Sequence, residues 1–168
     1  MTPKMQRVLM MAAILLLLAI VQVTIAPLIS LNGVVPSFLL IGAVFVSLRE
    51  GQMTGMLVAF PAGLLADAYF SALVGITSLS LTIAAFAAGF LYDEEKAQVS
   101  LQSPRTILIV FLCALLFHAI YVFAYFQSLT IDLGSIIALH VFGASVYTAV
   151  LSAIPVLILS RRVARMKV

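Results

Sequence analysis

The sequence predicts an all-α membrane protein, a compact bundle of six transmembrane helices. Three observations carry that expectation. The 168 residues are 64% apolar and only 9% charged, against roughly 25% charged in ordinary soluble domains, so the chain cannot cover a soluble core with polar surface. Long apolar runs recur along the whole length. The nine Lys and Arg residues fall into alternate connections: Lys4 and Arg7 before the first run, Arg49 between the second and third, Lys96 and Arg105 between the fourth and fifth, and Arg161, Arg162, Arg165 and Lys167 after the last. Short basic loops stay in the cytoplasm, so both termini are expected there and the outer side is left without a cation.

Each span follows from local signals. Helix one is expected over Val8–Leu28, closing near Pro27. Its length exceeds the roughly 7–15 residues of a signal-peptide core, so it reads as an uncleaved span. Helix two runs from about Pro36, a residue suited to a first helical turn, to Leu48. Arg49-Glu50-Gly51 makes a tight inner turn. Helix three runs from Gln52 to Ala66 or Phe70, helix four from Ser71 or Leu73 to Leu91. Tyr92–Arg105, with Asp93, Glu94, Glu95, Lys96 and Pro104, is the longest inner connection. Helix five is expected over Thr106–Phe126 and helix six over Gly134–Leu159, with Asp132 in the outer loop between them. The spans are thus about 8–28, 36–48, 52–70, 72–91, 106–126 and 134–159 of one integral-membrane domain, 1–168, since no loop approaches the roughly 50 residues of a domain.

Helices two and three look short: thirteen to fifteen residues reach only about 20 Å against a hydrocarbon core of about 30 Å. Two arrangements fit. The pair crosses the membrane with Asp67 in its outer part, or it dips in as a re-entrant hairpin. The crossing is favoured, because the hairpin would bring Arg49 and Glu50 to mid-depth at high cost.

The strongest internal pattern is a ladder of small residues, Gly51, Gly55, Ala59 and Gly63, at intervals of four, with Asp67 continuing the same face. Such faces let helix backbones approach closely, which replaces the hydrophobic drive that joins helices in water. Helix four answers with Ser71, Gly75, Ser78, Thr82, Ala85 and Gly89, and helix six adds Ser145, Ala149 and Ala153. These faces serve packing within the chain or the docking of another membrane protein. Asp67 near a helix C-terminus faces the negative end of the dipole and needs donors. It either caps helix four, through backbone N–H groups or hydroxyls such as Ser71 or Thr77, or meets a partner's cation. Pro61 and Pro155 fall inside spans and free the carbonyls of Leu57 and Leu151, which bends helices.

His118 and His140 are read as interhelical hydrogen-bonding groups, since no carboxylate lies in the apolar stretch of either helix. Cys113 reads as a buried thiol. Catalytic, cofactor-binding and metal-ligating residues are not expected: no nucleophile–base spacing, phosphate loop or HExxH occurs. The basic residues are spread over loops, which argues against nucleic acid. The tail from Arg161 to Lys167 is expected to hold anionic lipid.

The run Pro36-Ser37-Phe38-Leu39-Leu40, then Arg49-Glu50-Gly51, Gly55, Gly63-Leu64-Leu65-Ala66-Asp67 and Gly75, resembles the rod-shape-determining protein MreD family over nearly the whole chain. Ser37 stands where the family often has Asp or Asn, and the chain has no Trp. The resemblance implies a non-enzymatic scaffold in the bacterial cytoplasmic (inner) membrane. It would belong to the elongasome, bind an MreC-like membrane protein, and help couple MreB filaments to peptidoglycan synthesis by RodA and a class B penicillin-binding protein. It also implies a bundle similar to the S components of vitamin transporters. That likeness opens an alternative, a small-molecule-binding membrane protein of a transporter, with Asn32, Ser37, Asp67, Thr77 and His140 as the polar groups of an outer cavity. The scaffold reading assigns Gly51, Gly55, Ala59, Gly63, Asp67 and Gly75 to packing or partner contact.

Overall fold

The computed structural model describes residues 3–31, 33–70, 74–92, 105–126 and 137–166. Among them are six α-helices and no strand: α1 Pro3–Thr24, α2 Phe38–Glu50, α3 Gln52–Phe70, α4 Ile76–Gly89, α5 Arg105–Phe126 and α6 Gly143–Met166. A 3-10 turn, Ala26–Ile29, follows α1, and a π-helical stretch, Ile137–Phe142, leads into α6.

The expected boundaries shift for physical reasons. The first helix stops at Thr24 and tightens into the 3-10 turn, because Pro27 has no N–H to continue the α ladder. The second starts at Phe38 rather than Pro36, with Ser37 as its N-cap. The fourth starts only at Ile76, behind Gly75, which sits at φ +105, a backbone region that L side chains avoid. Pro61 and Pro155 lie within α3 and α6 without ending them. The connections holding Asp93–Lys96 and Asp132 lie outside the described residues, as do Asn32 and Ser71.

Three helical segments are long and apolar enough to cross a membrane: Met5–Thr24, Arg105–Ala124 and His140–Ile158. The exterior of the bundle is apolar, with Leu17, Ile20, Leu57, Leu79, Leu108, Phe123 and Val150 all exposed. A continuous surface of that kind belongs against lipid, and the chain is an integral membrane protein.

α2 lies at the centre. From Leu39 to Leu48 none of its side chains is exposed, and it touches each of the other five helices. A helix apolar on every side needs such a position. α1, α3, α4, α5 and α6 wrap around it, with α3 packed on α1 and α4, and α5 on α4 and α6. Burial of Leu15, Leu39, Leu40, Val44, Leu81 and Val110 fills the core between them.

The α2–α3 turn sits beside the end of α4. A Cβ on Gly51 would lie 3.5 Å from the Tyr92 ring, and one on Gly89 would lie 2.5 Å from the Gln52 Cα. Arg49 and Glu50 therefore stand at the end where α4 finishes. They form an ion pair with each other, at 3.7 Å. Asp67, Gly75 and the Pro27–Ser37 connection gather at the opposite end. These are called the arginine end and the aspartate end below.

The closest helix crossing is α3 on α4. A Cβ on Gly63 would come within 2.6 Å of the Ser78 Cα, so a side chain there requires backbone movement. Gly63→Ala is expected to lower stability by about 1–3 kcal/mol, read as thermal unfolding in mild detergent. Leu64→Ala, on the exposed side of the same helix, is expected to change it far less. Equal effects would contradict the crossing.

Candidate functional site

The ladder of α3 is taken up within the chain. Gly55, Ala59, Gly63 and Asp67 are all buried. A Cβ on Gly55 would collide with the Ser47 hydroxyl on α2, and Gly63 holds Ser78 of α4. Gly51 is buried in the α2–α3 turn and Gly75 caps α4. The face that sequence reading assigned to packing or partner contact is thus occupied by α2 and α4. A partner's helix has to use another face.

Asp67 gathers the start of α4. One carboxylate oxygen accepts the N–H of Gly75 at 2.9 Å and of Ser78 at 3.0 Å, and the other accepts that of Thr77 at 3.2 Å. The side chain is almost fully buried, at 1% exposure. An anion placed on unpaired N–H groups at a helix N-terminus is favoured by both hydrogen bonding and the dipole. The capping role is therefore realised through backbone donors. Ser78 completes the junction by donating its hydroxyl to the Phe60 carbonyl at 2.8 Å. One residue thereby fills the Gly63 notch, bonds the carboxylate, and ties α4 to the turn of α3 next to Pro61.

The start of α2 is held in the same way by Ser37 together with Gln22 and Thr148, which sequence reading missed. Gln22 of α1 accepts the N–H of Phe38 at 2.7 Å and of Leu39 at 3.4 Å, and donates to the Pro36 carbonyl at 3.0 Å. Ser37 accepts the N–H of Leu40 at 3.2 Å, and its own N–H donates to the Thr148 hydroxyl of α6 at 3.1 Å. The available signal was a lone amide, Gln22, inside an otherwise apolar span. Polar groups at such depth need partners, and Gln22 finds them on a helix start. Tyr147 adds a bond from its hydroxyl to the Ile29 carbonyl at 2.9 Å, which ties the 3-10 turn to α6.

Between these caps, at the aspartate end, lies a partly open cavity of about 460 Å³. Ser37, Ala66, Thr77, Phe117, His118 and His140 are among the residues on its wall. His118 donates from Nδ1 to the Ala114 carbonyl at 2.8 Å and lies 3.4 Å from the Ser145 hydroxyl of α6, which itself donates to Val141. Of the polar outer groups named from sequence, Ser37, Thr77 and His140 reach the cavity, whereas Asp67 is turned to its helix cap. Cys113 is buried on α5. Among the described residues no His, Cys, Asp and Glu cluster of metal-site size is present.

Asp67→Asn keeps one acceptor oxygen but sets an amide donor against an N–H, so it is expected to lose about 1 kcal/mol of stability. Asp67→Ala leaves several buried N–H groups unpaired and is expected to lose about 2 kcal/mol or more. Thermal unfolding in detergent should rank wild type above Asn and Asn above Ala. Three equal midpoints would remove Asp67 from the architecture.

No curated protein and no solved structure matches the chain. The sequence model described as rod shape-determining protein MreD matches residues 4–164, a range that takes in all six helices up to the last turn of α6. The caps, the Gly63 notch and the central α2 all fall within it. The chain belongs to the rod shape-determining protein MreD family.

Proposed function

We propose that the chain is a non-enzymatic scaffold of rod-shape determination in the bacterial cytoplasmic membrane. It would bind an MreC-like membrane protein and, through it, help couple MreB filaments to the peptidoglycan synthesis carried out by RodA and a class B penicillin-binding protein. The family match over residues 4–164 is the observation that carries this reading. The fold adds support. Arg7, Arg49 and Arg105 lie on helix ends that gather at the arginine end, and α6 runs its final turns, residues 161–166, towards the same end. Under the positive-inside rule that end is cytoplasmic, together with both termini. Its basic tail then meets anionic lipid, each charge contributing about 1 kcal/mol near the surface.

The mechanism is one of rigid presentation. With the ladder of α3 filled internally, the surfaces left for a partner's membrane helix are the outward apolar faces of α1, α3, α4, α5 and α6. Helix association there rests on van der Waals packing rather than on hydrophobic drive. The small-molecule alternative keeps one observation in its favour, the cavity at the aspartate end. A ligand there is compatible with shape determination and does not require transport.

Cysteine crosslinking in membranes tests the scaffold. The native Cys113 is buried, so the background is low. Single cysteines at Leu17 on α1, Leu57 on α3, Leu79 on α4, Leu112 on α5 and Val150 on α6 are all exposed. At least one is expected to capture the MreC-like partner, while Ala59→Cys, buried under α2 and α4, captures none. Co-purification of the partner with no crosslink from any outward face would sink helix-on-helix docking. Absence of both would sink the scaffold itself.

A further inference from the structure

We propose that the cavity at the aspartate end is a binding site for an uncharged small molecule that carries an aromatic ring and a hydrogen-bonding group. The inference goes beyond shape determination and does not depend on any particular partner.

Size gives the first argument. Native interiors close on themselves and leave few voids larger than a water. A cavity of about 460 Å³ falls within the roughly 300–1,000 Å³ of small-molecule sites. Filled with water it would hold about fifteen molecules, each needing two to four polar partners. The wall offers few, because Gln22 and Ser37, which line it, are committed to the start of α2.

Chemistry gives the second. Among the described residues no Asp, Glu, Lys or Arg lines the cavity, and the nearby carboxylate of Asp67 is turned to the α4 N-terminus. A charged ligand would lose its hydration without gaining a counter-charge. The wall on α5 is aromatic. Phe117 and Tyr121 lie stacked at 6.3 Å and 22°, and the His118 ring meets Phe117 edge-on at 5.1 Å. Such a wall favours a flat ring. Val122, Leu39, Ala66 and Ala144 complete an apolar lining.

Polar groups at fixed places give the third. His118 lines the cavity, and with its Nδ1 proton directed to the Ala114 carbonyl, Nε2 is the nitrogen of the neutral ring that can accept a ligand O–H or N–H. Thr77 adds a hydroxyl from the first turn of α4. His140 lines the cavity from the π-helical stretch Ile137–Phe142, and π-helical turns recur at functional sites. An apolar pocket with a few convergent polar groups is the general form of a ligand site.

The chain contains no Trp, so indole emission reports only an added probe. Indole-3-ethanol, a neutral ring with a hydroxyl, is titrated into the full chain in mild detergent. Saturable, blue-shifted emission is expected for wild type. Ala144→Phe, which fills the cavity, is expected to weaken it about tenfold or more, whereas Val150→Phe on the outward side of α6 leaves it unchanged. His140→Ala, an exposed position on the cavity wall, is expected to weaken it several-fold without loss of folding, and remains informative if Ala144→Phe fails to fold. Non-saturable partition into wild-type micelles overturns the proposal. So does equal binding by wild type and His140→Ala, or by wild type and a folded Ala144→Phe.

Discussion

Two short helices of this protein, α2 and α4, begin at buried or half-buried positions where their first N–H groups must find acceptors. α2 has thirteen residues and α4 fourteen, about 20 Å each, short of a hydrocarbon core of about 30 Å. An unpaired backbone group at such depth costs several kcal/mol. The solution is the same for both: a side chain from a different helix takes the N-terminus. Gln22 of α1 and Thr148 of α6 serve α2, and Asp67 of α3 serves α4. Each cap is therefore a tertiary contact as well as a local one. It fixes where the short helix starts, which neighbour it lies against, and at what depth.

Close approach depends on those caps and makes them possible. Asp67 reaches the α4 backbone because Gly63, one turn earlier, lets Ser78 lie against α3. The same arrangement on α2 lets Gly55 accept Ser47. In lipid the apolar effect does not distinguish a helix neighbour from an acyl chain, so contact area and hydrogen bonds decide the fold. The small residues thus do for this protein what bulky core side chains do in water. A consequence follows for partners. The pattern most suggestive of a docking face is consumed in building the bundle, and the outer surfaces that remain are broad and apolar.

Much of this was legible in the chain. Composition and the placement of Lys4, Arg7, Arg49, Arg105 and the tail gave the class and the helix order. The ladder from Gly51 to Asp67 gave the tightest crossing, and Gly63-Leu64-Leu65-Ala66-Asp67 with Gly75 gave the family. What sequence periodicity did not give was depth. That α2 would be buried on every side follows from its scarcity of polar residues, Ser47 alone between Phe38 and Leu48, only once five other helices are known to surround it. The amide of Gln22 could be noticed in its apolar run, but its targets lie 14 to 17 positions away, and the Ser37–Thr148 bond spans 111. The cavity was illegible for the same reason: its wall draws on residues from Gln22 to Ala144, and its volume depends on how far the helices splay.

The account stands or falls on the capping of the two buried helix starts. Hydrogen–deuterium exchange of the full chain in mild detergent, resolved to peptides covering Phe38–Leu40 and Gly75–Ser78, measures it directly. Both segments should exchange slowly in the wild type. Gln22→Leu should speed the first and spare the second, and Asp67→Asn should do the reverse. Fast exchange of either segment in the wild type, or acceleration of both by either substitution alone, would contradict the claim that each short helix is held by its own distant side chain.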